Sequence, residues 1–83
     1  MNKILVEVLV PAGNTKFDVF IPAKAKGYDV LNIIADMFSS MLEGKYVKSH
    51  DSVLCVYNTR KLLDINKSMY EQNIENGTKL ILI

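Results

Sequence analysis

The chain has 83 residues, a formal net charge of +1, 49% hydrophobic and 8% aromatic residues, no Trp and one Cys. A hydrophobic core needs at least about 50 residues and splits only beyond roughly 250, so residues 1–83 are expected to form one domain, too apolar to stay disordered. The ten Lys and Arg are interleaved with nine acids from Lys3 to Lys79; without the clustered cations that displace counterions from phosphates, no nucleic-acid partner is expected.

Ile4, Val6, Val8 and Val10 alternate with Leu5, Glu7 and Leu9, and Phe17, Val19 and Ile21 alternate with Asp18 and Phe20. Between the two runs lies Pro11-Ala12-Gly13-Asn14, so the pattern predicts an antiparallel hairpin. Glu7 and Asp18 mark the outer face. The same alternation turns Ile4, Val6, Val8, Val10, Phe17, Val19 and Ile21 inward and leaves Leu5, Leu9 and Phe20 outside.

The period changes after Pro22. Asp29 reads as an N-cap, Gly44 as a stop, and the intervening VLNIIADMFSSMLE has no Pro or Gly, which predicts one helix of about four turns. At about 100° per residue, Val30, Leu31, Ile33, Ile34, Ala35, Met37, Phe38, Met41 and Leu42 occupy an arc of roughly 200°. One sheet does not need so wide a stripe. Tyr46 and Val47, in the connection from Glu43 to Asp51, are expected to fold back over its edge. His50 in the same connection has no second ligand at metal spacing.

Val53 to Tyr57 is expected to form a strand, Lys61 to Asp64 a short edge strand, and Lys79 to Ile83 the final strand. Between them a turn capped by Ser68 should tuck Met69 inward, Ile74 should anchor the segment, and Gly77 should adopt a positive φ. Cys55 lies among apolar neighbours and reads as a small buried hydrophobe. The lone Cys cannot form an internal disulfide, Glu7 interrupts the only signal-like run, and no stretch reaches the roughly 18 apolar residues of a membrane span. A cytoplasmic protein with no direct membrane insertion is expected.

The order hairpin, helix, strand, short strand, strand, with Asn58-Thr59-Arg60-Lys61, Asn76-Gly77 and Leu80 at their spacing, resembles the C-terminal half of ubiquitin. It resembles more closely the bacterial ubiquitin-like proteins of the YukD family, which accompany type VII secretion systems. The resemblance implies an α+β, ubiquitin-like β-grasp of ββαβββ order: a mixed sheet of about five strands packed on one helix, the last strand between the first and third. Matching the spacing places Cys55, Tyr57, Leu80 and Leu82 in the core and Leu54, Val56, Ile81 and Ile83 outside.

No nucleophile has a base and an orienting third group, and Gly13, Gly27, Gly44 and Gly77 are isolated. No enzymatic activity, catalytic residue, cofactor or metal is therefore expected. The resemblance points instead to a non-catalytic protein–protein interaction module whose partners include secretion-system components. Its protein-binding face would comprise Leu5, Leu9, Phe20, Leu54, Val56, Ile81 and Ile83, an apolar surface on the order of several hundred Å². A homodimer through the same face is a further expectation. Modifiers and sulfur carriers of this fold end in a flexible Gly-Gly tail, whereas this sequence ends in Leu80-Ile81-Leu82-Ile83, so conjugation is not expected. The alternatives are a truncated modifier or sulfur carrier, and an adaptor unrelated to secretion.

Overall fold

The structure, a computed structural model, describes residues 2–41 and 52–83. Strands β1 (Lys3–Val10) and β2 (Thr15–Pro22) precede the helix α1 (Gly27–Met41), and β3 (Leu54–Val56) and β4 (Lys79–Leu82) follow it. They form a four-stranded mixed sheet of order β2-β1-β4-β3, in which β1 and β4 run parallel and the other pairs antiparallel. The helix lies on one face of it, as the ubiquitin-like β-grasp requires.

The hairpin pairs Lys3 with Pro22 through to Val10 with Thr15. Its connection is a 3-10 turn over Pro11–Gly13, closed by Asn14 at φ 48°, so Asn14 takes the left-handed conformation. Gly13 serves a different purpose: a Cβ there would lie 2.6 Å from Phe38 Cζ, and the ring it makes room for stacks on Phe17 at 6.5 Å. The inward set is as the alternation predicts, with Val6, Val8, Val10, Val19 and Ile21 in the core and Ile4 and Phe17 packed against it.

The helix begins before Asp29, which falls in its first turn and is not its N-cap. The Gly27 N–H donates to the Lys67 carbonyl at 2.9 Å and the Tyr28 N–H to the Ile65 carbonyl at 3.0 Å. The first two free donors of the helix are thus taken by a distant loop. Val30, Ile34, Ala35 and Phe38 are buried, Leu31 packs at the core's margin, and Ile33, Met37 and Met41 are exposed. Leu42 of the apolar arc, the expected stop Gly44, the expected cover Tyr46 and Val47, and His50 lie outside the described residues.

The expected fifth strand, Lys61 to Asp64, is a single bridge between Leu62 and Cys55, flanked by Val56 N–H to Lys61 O (2.9 Å) and Leu63 N–H to Leu54 O (2.8 Å). The chain bends away because Gln72 holds the next residues: its Oε1 accepts from the Asp64 N–H (2.7 Å), and its Nε2 donates to the Asp64 (2.8 Å) and Lys67 (3.0 Å) carbonyls. The following turn carries a capping box in which the Ser68 N–H donates to Glu71 Oε1 (2.9 Å) and the Glu71 N–H to Ser68 Oγ (3.1 Å). Met69 and Ile74 are buried as expected.

Asn76 and Gly77 start the parallel pairing. Asn76 Oδ1 accepts from the Leu5 N–H (2.8 Å), Gly77 at φ 89° donates to the Leu5 carbonyl (2.9 Å), and the Glu7 N–H reaches the Thr78 carbonyl (3.1 Å). Leu80 and Leu82 then enter the core.

The phase of β3 is opposite to the expectation. Leu54 pairs with Leu82 and Val56 with Leu80, so Leu54 belongs to the core beneath α1 and Val56 packs against it. Cys55 faces the other side with its partner Ile81, and Tyr57 is exposed. Val53 to Tyr57 is apolar throughout, so no alternation fixes its phase. The ladder to β4 does, because partners in a pleated pair share a face.

Candidate functional site

The sheet face away from α1 is built in rows by the strand registers. Along the first row Phe20 of β2 stands opposite Leu5 of β1. The next runs Asp18, Glu7 and Lys79, and reaches Tyr57. A third carries Lys16, Leu9, Ile81 and Cys55, and extends through the Cys55 bridge to Leu62. Beyond it Val53 and Ile83 exchange backbone hydrogen bonds at 3.1 and 3.0 Å.

The face is therefore not one contiguous apolar patch. The second row is charged: Glu7 pairs with Lys16 at 3.9 Å and with Lys79 at 4.0 Å, while Lys79 and Arg60 lie 5.8 and 5.1 Å from the centroid of the Tyr57 ring. This row separates Leu5 and Phe20 from the larger zone of Leu9, Ile81, Cys55, Leu62, Val53 and Ile83. Each exposed ion pair contributes at most about 1 kcal/mol. Together they orient a strip of charge beside an apolar strip.

Of the expected protein-binding residues, Leu5, Leu9, Phe20, Ile81 and Ile83 lie on this face, on both sides of the charged row. Leu54 and Val56 do not, for the reason given by the β3 register, and Val53 and Cys55 take their places. Ile81 and Cys55 retain only 8% exposure each, whereas Phe20 keeps 64% and Leu62 and Ile83 66%. Leu62 and Ile83 project beside the larger apolar zone, and Phe20 projects on the far side of the charged row. Sequence reading assigned Leu62 to an edge strand without a face, and only its bridge to Cys55 supplies one.

Around the edge of β3 the apolar strip continues into an open groove of about 310 Å³ against the first turns of the helix. Tyr28, Leu31, Val53, Leu62 and Ile65 line it. Leu62 and Val53 belong to both surfaces. Among the described residues no group of His, Cys, Asp and Glu could hold a metal ion, and no helix is long and apolar enough to cross a membrane. The Glu71 carboxyl, held below the ordinary value of 4.5 chiefly by the Ser68 N–H and then by the Ser68 hydroxyl, belongs to the capping box away from this face.

No family model matches the chain, and no curated protein does. Solved structures match over its whole length. The EccD5 ubiquitin-like domain from Mycobacterium xenopi superposes with a TM-score of 0.81 at 17% identity, covering 100% of this chain and 94% of that one. The ubiquitin-like domain of the Mycobacterium tuberculosis type VII secretion protein EccD1 gives 0.75 at 17%, with 100% and 99% covered. A chain of the MycP5-free ESX-5 inner membrane complex gives 0.79 at 17%; the match covers 98% of this chain and 20% of that larger one. At such identities the likeness is one of fold.

Proposed function

We propose that this ubiquitin-like β-grasp is a non-catalytic docking module of the YukD type, acting in the cytoplasm beside a type VII secretion apparatus. Its partner binds the apolar strip of Leu9, Ile81, Cys55 and Leu62, together with Val53 and Ile83. The observation that carries the reading is this strip, which crosses the sheet from half-buried Leu9 of β1 to the Leu62 segment, where Leu62 and the neighbouring Ile83 project into solvent. Burial of Leu62 and Ile83 would supply affinity, and the adjoining row of Asp18, Glu7, Lys79 and Tyr57 would set orientation. Likeness in fold to the ubiquitin-like domain of EccD1, a type VII secretion system protein, supports the secretion context.

The test is affinity capture from the native host with wild type and a Leu62→Asp, Ile83→Asp double variant, after circular dichroism shows both folded. Wild type should retain membrane components of the secretion apparatus, and the double variant should lose them. Capture of the same components by both would refute the assignment of the face. Absence of secretion components from the wild-type capture would refute the context.

A further inference from the structure

Among the described residues no strand pairs with the outer edge of β2, and the hairpin register fixes which of its groups point there. The Ala23 N–H donates to the Asn2 carbonyl at 2.9 Å. Pairs of the same parity, from Ile4 with Ile21 to Val10 with Thr15, therefore exchange the ladder's hydrogen bonds. Lys16, Asp18 and Phe20 fall between them, so their N–H and C=O groups point away from β1. All three side chains are exposed. An eight-residue strand with such an edge is a template for another strand.

We propose that the occupant is β2 of a second copy, paired antiparallel about a two-fold axis at Phe17. In this register Lys16 of each copy stands opposite Asp18 of the other, giving two cross-strand pairs of opposite charge on the outer face. Phe17 meets Phe17 beneath, where each half-buried ring already stacks on its own Phe38. Outward-pointing groups allow registers only in steps that keep their parity. The next places Asp18 against Asp18, and the one after sets Asp18 against Phe20. Charge complementarity selects the first. The sheets of the two copies then become continuous, and the apolar strips lie on one surface. The dimer does not depend on the docking role proposed above.

Strand pairing buries a small interface, so the dimer should dissociate on dilution and weaken as salt screens the pairs. Sedimentation equilibrium of the 83-residue chain should show the mass rising from 9.4 kDa toward twice that value with concentration. Lys16→Asp alone and Asp18→Lys alone should abolish the rise, and the two together should restore it. Asp18→Pro removes an edge donor without touching the β1 ladder and should also give a monomer. For the unaltered protein, isotope-filtered NMR on mixed labelled and unlabelled copies should show Phe17 Hα to Phe17 Hα contacts. A wild type monomeric up to millimolar concentration, a dimer that survives Asp18→Pro, a folded double variant that stays monomeric, or a dimer lacking the Phe17 contact would each overturn the proposal.

Discussion

Leu54 stands directly opposite Leu82 in the β3–β4 ladder, and each is 2% exposed beneath α1. Through this pair the final strand locks the edge of the sheet to the core. Leu54→Ala should cost about 2–5 kcal/mol in chemical denaturation, because a buried leucine leaves a cavity that its surroundings fill only in part. Ile83→Ala, one residue beyond Leu82 and 66% exposed, should change stability by about 0.5 kcal/mol or less. Equal losses from both would mean that the faces of the sheet are assigned wrongly.

Gln72 secures a loop that in turn caps the helix. Its amide satisfies Asp64 and Lys67, whose neighbourhood supplies the carbonyls for the Gly27 and Tyr28 N–H groups. Gln72→Ala should destabilise the fold by about 0.5–1.5 kcal/mol, the net worth of a hydrogen bond whose groups water can reach once the amide is gone. Hydrogen exchange should quicken at Gly27 and Tyr28 as well as at Asp64. Acceleration at Asp64 alone would separate the loop from the helix.

Gly27 and Gly77 should respond to alanine for different reasons. A Cβ on Gly27 would run into the Asp64 carbonyl and lie 2.9 Å from Ile65 Cα, backbone atoms that cannot swing aside. Gly27→Ala should cost about 1–3 kcal/mol and reduce the helical circular dichroism. At Gly77 nothing lies within 4 Å, but φ is 89°, so Gly77→Ala should cost roughly 1–2 kcal/mol by backbone strain and leave the helix signal intact.

The Glu71 carboxyl should titrate below 4.5 in a carbon-detected NMR experiment, and Ser68→Ala should raise its midpoint toward that value without removing the Ser68 N–H contribution. A depressed carboxyl stabilises the fold above its ordinary value. That contribution is lost as pH falls through the depressed one. Acid below 4.5 should therefore loosen the capping box, read as faster exchange at Ser68. An unshifted midpoint would show that the box does not persist in solution.

The hairpin, its inward face and the existence of the helix are legible in the chain's own pattern, whereas the apolar arc of the helix is wider than the face that Val30, Ile34, Ala35 and Phe38 bury. Glu7 and Asp18 fix the phase of β1 and β2, and the helix repeats its apolar residues over almost four turns with no breaker. The sequence also determined the left-handed Gly77 and the Ser68 turn, whose signals are local. Tertiary structure alone decided the face of β3, the reduction of the fifth strand to one bridge and the start of the helix at Gly27. Each depends on a hydrogen bond between residues distant in sequence: Cys55 to Ile81, Gln72 to Asp64, Gly27 to Lys67. In Val53 to Tyr57 every side chain can be buried on either face, so only the β4 ladder distinguishes Leu54 from Cys55. That choice also removed Leu54 and Val56 from the candidate face and brought Leu62 onto it.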